Sequence, residues 1–269
     1  MIITIIQYIY SIISGIIVGF SLGLIGGGGS ILAIPLLIYF VGIDKPHLVI
    51  GTTALAVGIN ALINVYSHFR KHNVNFKIGG LFSIVGIIGV LAGTTLGLIT
   101  PGEELLFIFS FLMMIIGVYM FISKCRTCKN FDAIPKNDKD DPPPKDKKYF
   151  KTSIFGALAG FASGYFGIGG GFLIVPALLY SSDLTMNLAV GTSLLSVGAF
   201  GIVTATRYGL AGQIIVPIAI LYVIGGIFGG IIGAKISTGM KKSVLRKAFS
   251  IIIIIVGIYV AIESYHAIL

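Results

Sequence analysis

Long apolar runs separated by short polar breaks fill almost the whole chain. A helix needs about 20 mostly apolar residues, rising 1.5 Å each, to cross a hydrocarbon core of ~30 Å. Runs at 2–25, 46–68, 77–99 and 104–123 approach or meet that length before the centre of the chain. Those at 150–167, 185–207, 213–236 and 244–262 follow it. Two more, 30–42 and 171–182, are too short to span, at 13 and 12 residues. Each short run adjoins a glycine cluster, GGGG at 26–29 and GIGGG at 167–171. The pattern predicts five helical segments, a polar stretch and five more, with the second of each five broken or re-entrant. Short, glycine-interrupted segments at corresponding places in two halves are the usual pointer to a binding site between repeats.

The halves match when shifted by 141 and then 140 residues. Gly15, Gly19, Gly23, Gly28 and Pro35 fall on Gly156, Gly160, Gly164, Gly169 and Pro176. Gly51, Thr52 and Gly58 meet Gly191, Thr192 and Gly198, and Gly86, Gly89 and Gly93 meet Gly226, Gly229 and Gly233. Apolar composition alone supplies matching isoleucines, but not glycines in register over a hundred residues. The fold expected is an all-α polytopic membrane protein made of an inverted repeat of two five-segment halves. Its parts are a first transmembrane repeat at 1–123, a hydrophilic loop at 124–151 and a second, inverted repeat at 152–269.

Composition agrees. Of 269 residues, 56% are hydrophobic and 11% charged, against roughly 25% charged in a soluble domain. Nine Lys/Arg and five Asp, about half of all the charge, lie within 124–151. The net charge of +9 therefore implies no nucleic-acid partner: the cations occupy connections, as the positive-inside rule expects, and form no stripe along a helix. Connections 69–77, 124–151 and 235–247 hold 17 of the 19 Lys/Arg, leaving only Lys45 and Arg207 for the other side. That asymmetry predicts a multi-pass protein of the plasma membrane with both termini outside and the 124–151 loop cytoplasmic. Met1 opens an apolar run with neither a cationic n-region nor a cleavage site, so the first segment is expected to stay as a span.

The glycine clusters do not fit the dinucleotide fingerprint G-x-G-x-x-G, because Ile31 and Phe172 occupy the third glycine's place. They let the chain turn inside the membrane and present backbone N–H groups at the start of a short helix, an arrangement that attracts anions. Gly28, Gly29 and Ser30 in the first half and Gly169, Gly170 and Gly171 in the second are the candidate substrate-binding positions. The alternative is a packing kink without a ligand. Gly-Thr-Thr at 51–53 and Gly-Thr-Ser at 191–193 add four hydroxyls. Thr52, Thr53, Thr192 and Ser193 either complete an anion cage with the glycine amides or bond back to carbonyls of their own helix. The spaced glycines at 86–97 and 225–233 read as helix-packing faces. His68 and Arg207 read as interfacial anchors, Arg207 with a possible pull on anions at the outer mouth. Asn60, mid-helix and polar, needs a partner, yet its repeat mate is Phe200, which argues against a symmetric ligand role. Cys125 and Cys128 supply only half of a structural zinc site.

GIGGGFLIVP at 167–176 with Gly-Thr-Ser at 191–193, and the divergent first copy GGGGSILAIP at 26–35 with 51–53, resemble the TauE/SafE sulfite-exporter family of the 4-toluene sulfonate uptake permease group. The resemblance covers nearly the whole chain except 124–151. It implies secondary transport of a small sulfur-containing anion such as sulfite, a sulfonate or sulfoacetate across the lipid bilayer. Ser30 for glycine and Thr53 for serine are conservative departures.

No Asp or Glu falls at membrane depth, since Asp44, Glu103, Glu104, Asp183 and Glu263 all lie near segment ends. An inside-negative potential already drives anions out by about 2.3 kcal/mol per charge per 100 mV, so export needs no carboxylate relay. Uptake of organosulfonates and a conductive anion channel are the alternatives in transport. A redox enzyme using Cys125 and Cys128 is a third class, and no catalytic constellation, metal cluster or cofactor motif supports an enzyme. The sequence sets no oligomeric state.

Overall fold

The computed structural model describes residues 4–25, 27–70, 72–122, 146–169, 171–182, 184–237 and 242–268. Every regular element among them is helical. The first half holds α1 (Ile5–Ile25), a composite short segment, α3 (Pro46–Phe69), α4 (Phe76–Ile99) and α5 (Gly102–Ile122). The composite runs from a 3-10 turn (Gly27–Leu32) through one α turn, α2 (Ala33–Pro35), to a π turn (Leu36–Phe40). The second half holds α6 (Asp146–Phe166), α7 (Gly171–Ser182), α8 (Met186–Leu210), α9 (Val216–Ser237) and α10 (Lys242–Ile268).

Seven of these helices, α1, α3, α4, α5, α8, α9 and α10, are long and apolar enough to cross a membrane. α6 has the length, but Asp146, Lys147, Lys148 and Lys151 charge its first turns. The expected boundary between loop and second repeat, at 151–152, thus falls inside α6. Residues 123–145, with Cys125 and Cys128, lie outside the described residues. Large apolar side chains such as Ile84, Ile88, Ile115 and Ile255 point outward, whereas Ser11, Thr52, Asn60, Thr192 and Thr204 are buried. Exposure of large apolar side chains around an interior that also holds polar ones suits a hydrocarbon solvent.

The helices pack in four pairs. α1 lies against α9 and α4 against α6, with residue numbers rising together: Gly15 meets Tyr222 and Gly19 meets Gly226, while Gly156 meets Phe82 and Gly160 meets Gly86. A Cβ on Gly19, Gly89, Gly93, Gly160 or Gly229 would overlap a backbone carbonyl of the partner helix. The spaced glycines are therefore close-packing faces. The other pairs join repeat mates: Gly51 of α3 meets Tyr208 near the end of α8, and Gly191 near the start of α8 meets His68. α3 and α8 thus run antiparallel. So do α5 and α10, where Gly117 sits by Ser250 and Gly257 by Ser110. Each contact recurs with its shifted counterpart, the reciprocity a two-fold relation produces.

The two short segments differ. α7 stays α-helical through Pro176, whereas after Pro35 the chain widens, Val41 N donating to Leu36 O at 3.0 Å. Proline removes one N–H and crowds the carbonyl four residues back. In α7 the regular helix absorbs that loss; in the first half the ladder shifts to the π spacing.

Candidate functional site

Glycine turns carry α1 and α6 into the short segments. Gly167 and Gly169 both have φ +68°, a left-handed conformation in which an L side chain is strained. A Cβ at Gly169 would stand 3.1 Å from Val197 Cγ1 and 3.4 Å from Val57 Cγ1. Val57 and Val197 are repeat mates on α3 and α8, so this turn inserts bare backbone where the mate helices cross. In the first half Gly28, Gly29 and the fully buried Ser30 belong to the 3-10 turn, and Gly29 folds back against the amide of Leu22 in α1. That turn touches α7, which begins at Gly171. The two glycine junctions therefore share one neighbourhood inside the bundle. Gly170 lies outside the described residues.

The four hydroxyls are buried in the helices beside these junctions, and each has an observed partner. Thr52 Oγ1 donates to Leu48 O at 2.6 Å, Thr53 Oγ1 to Val49 O at 2.8 Å and Ser193 Oγ to Val190 O at 2.7 Å. The donors of these three are directed at carbonyls of their own helices, the competing interaction familiar for Ser and Thr in membrane helices. Thr192 Oγ1 accepts from Asn75 N at 3.0 Å. Three of the four hydroxyls thus donate within their own helices, and the fourth serves as an acceptor for a distant backbone amide.

Thr52 and Thr192 do something the sequence reading did not anticipate. Thr52 Oγ1 also accepts from Ile215 N at 3.0 Å. Asn75 and Ile215 are themselves repeat mates, so each half's threonine holds the turn that opens the other half's α4 or α9. The preceding glycine completes the contact, because a Cβ on Gly51 or Gly191 would overlap Gln213 O or Asn73 O respectively. Each Gly-Thr step is thus a clamp: bare Cα receives one carbonyl, and the hydroxyl receives the amide two residues on. Asn75 and Ile215 do not match as side chains. Their shared offset of 140 residues was the available signal.

Beside the Thr52 clamp opens a cleft of about 300 Å³ lined by Asp44, Lys45, His47, Glu103 and Gln213 among others. Its charges are mixed, so it makes no cationic funnel. Arg207 is tied down, its Nη2 donating to Thr95 Oγ1 of α4 at 3.0 Å.

Seven helices long and apolar enough to cross a membrane, among the described residues, mark a multi-pass membrane protein. The sulfite exporter TauE/SafE family matches residues 11–260, and the chain belongs to that family. It is similar to a "Probable membrane transporter protein" of Xylella fastidiosa (strain Temecula1), 40% identical over 264 residues, 97% of this chain and 98% of the relative. A "Probable membrane transporter protein" of Methanocaldococcus jannaschii is 29% identical over 261 residues, covering 91% of this chain and 93% of that one. "Probable membrane transporter protein YunE" of Bacillus subtilis is 25% identical over 269 residues, 96% and 98% of the two chains. No solved structure matches.

Proposed function

We propose that this transporter moves sulfur-containing anions of the sulfite, sulfonate or sulfoacetate type outward across the plasma membrane. The observation that carries the reading is the Gly169 turn, bare backbone set between Val57 and Val197 at the crossing of the mate helices. Family membership supplies the substrate class. Backbone amides hold an oxyanion without a fixed counter-cation, and in a water-excluded site their dipoles act more strongly than in water. Such neutral donors also release the anion. Asp44 precedes α3, Glu103 and Glu104 open α5, and Glu263 lies near the end of α10. None of these carboxylates offers a relay at the level of the junction, which favours export down the electrical gradient.

Uptake and efflux of sulfite, methanesulfonate, sulfoacetate and sulfate by proteoliposomes test the substrate class directly. Sulfite or a sulfonate should move in saturable fashion and sulfate poorly; flux of none of the sulfur anions would overturn the reading. Gly169→Val should weaken sulfite binding at least tenfold in a calorimetric titration. A β-branched side chain both strains the left-handed backbone, by roughly 1–2 kcal/mol, and fills the gap between the two valines. Parental affinity in that variant would mean that the turn only packs.

The antiparallel mates α3/α8 and α5/α10 support an inverted repeat, and the cation distribution supports an orientation with both termini outside. An impermeant thiol reagent added to intact cells should leave Cys125 unmodified and label it after permeabilisation. Ready labelling from outside would reverse the orientation.

A further inference from the structure

Three polar atoms near the crossing of α3 and α9 are buried without a hydrogen-bond partner. Asn60 is 1% exposed, and neither Nδ2 nor Oδ1 of its carboxamide is paired. The hydroxyl of the fully buried Tyr222 is also unpaired. A Cβ on Gly226 would overlap the Asn60 carboxamide, which therefore lies directly on the bare face of α9. Tyr222 stands one turn earlier on that helix, on the same side. α1 closes over both, Gly15 against the backbone of Tyr222 and Gly19 against that of Gly226.

The repeat supplies an internal control. The mates of Asn60 and Tyr222 are Phe200 and Phe82, whose ring centroids are 6.3 Å apart in a stacked arrangement. Gly86, the mate of Gly226, meets Phe200 as Gly226 meets Asn60. One half fills this position with hydrocarbon; the other fills it with a carboxamide and a phenol. At these two positions one copy does without polar groups, so the architecture does not require them in the other. Close by, Ser83 and Ser196 bond each other at 2.9 Å, while Thr204 Oγ1, one turn beyond Phe200, is buried and unpaired. Unpaired buried amides and hydroxyls are costly and call for an explanation.

Position and chemistry narrow that explanation. Asn60 follows Val57, an α3 residue beside Gly169, by about one helical turn. The helices α1, α3 and α9 carry no Asp, Glu, Lys or Arg within two turns of this spot. Without a counter-charge a dianion is penalised far more than a monoanion. The carboxamide offers a donor and an acceptor together, whereas a fully deprotonated oxyanion uses donors only and would leave Oδ1 facing its lone pairs. A monoanion that keeps one O–H satisfies both ends: its O–H donates to Asn60 Oδ1, and its anionic oxygen accepts from Asn60 Nδ2 and Tyr222 Oη.

We infer that Asn60 and Tyr222 form a subsite for a singly protonated oxyanion, hydrogen sulfite in its O-protonated form being the type, so that the anion crosses together with its own proton. This rests on the sulfur-anion reading above. It couples proton to anion movement without an acidic side chain in the membrane.

Flux of sulfite and of methanesulfonate, which has no titratable proton, is measured in proteoliposomes on both sides of the second ionisation of sulfurous acid. The parent should move sulfite faster as the donor side is acidified through that ionisation, and methanesulfonate at least tenfold more slowly and independently of pH. Asn60→Leu should lower sulfite flux at acid pH at least tenfold and abolish the acid enhancement. Tyr222→Phe, which installs the residue native at position 82, keeps shape and should lower acid sulfite flux several-fold; it decides the matter if Asn60→Leu does not fold. Variants with the parent's sulfite pH profile and sulfite-to-methanesulfonate ratio would overturn the inference while leaving the transport reading intact. A parent that moves neither anion would fail the transport reading first, and the subsite with it.

Discussion

Gly19→Val and Gly160→Val should each prevent the protein from assembling, seen as loss of the monodisperse detergent-solubilised species and of its cooperative melt. The two residues are repeat mates, and each faces a backbone carbonyl, that of Gly226 or of Gly86. A side chain confronted by another side chain can displace it. One confronted by a carbonyl must move a whole helix. Overpacking generally costs about 1–3 kcal/mol, and a clash with backbone belongs at or above the top of that range. In a bilayer the close approach is itself the source of association, because lipid tails are as apolar as the helices and separation costs no hydrophobic burial. Gly80→Ala is the internal contrast. No atom lies within 4 Å of a Cβ at that position of α4, so alanine should be neutral or stabilise by up to ~1 kcal/mol through helix propensity. Equal melting behaviour for all three variants would sink the assignment of the glycines to packing.

Much of this fold was legible because length and hydropathy decide which segments span. The run 171–182 coincides with α7, and 46–68 and 77–99 differ from α3 and α4 by one residue at one end. The start of α6 was not legible: Asp146, Lys147 and Lys148 read as loop by charge, yet they extend the helix beyond its apolar part. Nor was the composite form of 27–40. Its glycines permit many backbones, and tertiary packing selects the 3-10 and π turns. For the hydroxyls both readings were open, since Thr52 and Ser193 have the same composition whether they face an anion or a carbonyl. The partners that decide it, Asn75 N and Ile215 N, are backbone groups far along the chain and leave no mark in side-chain pattern. Asn60 is the instructive case. Its unlike mate, Phe200, argued against a symmetric role, and that same inequality is what makes its unpaired carboxamide informative.

Releasing one Gly-Thr clamp should open one end of the protein and leave the other closed. Thr52→Val keeps the side-chain shape but deprives Ile215 N of its acceptor; Thr192→Val does the same to Asn75 N. An amide left without its partner costs about 1–3 kcal/mol, a shift of about 5–150-fold between closed and open arrangements of that turn. Gln213 and Asn73, whose carbonyls rest on Gly51 and Gly191, report the two ends. With Cys125 and Cys128 replaced by serine, single cysteines at 213 or 73 are labelled in proteoliposomes with a thiol reagent. In Thr52→Val the rate at 213 should rise at least fivefold while that at 73 stays within twofold. In Thr192→Val the pattern should exchange. The reasoning is that the clamps sit at opposite ends of the antiparallel α3–α8 pair, so weakening one biases a single gate. A carrier must never have both open. A rise at both positions in either variant would mean that the threonines hold the bundle as a whole. No rise in either would mean that the turns are held by packing alone, and the clamps would then have no part in gating.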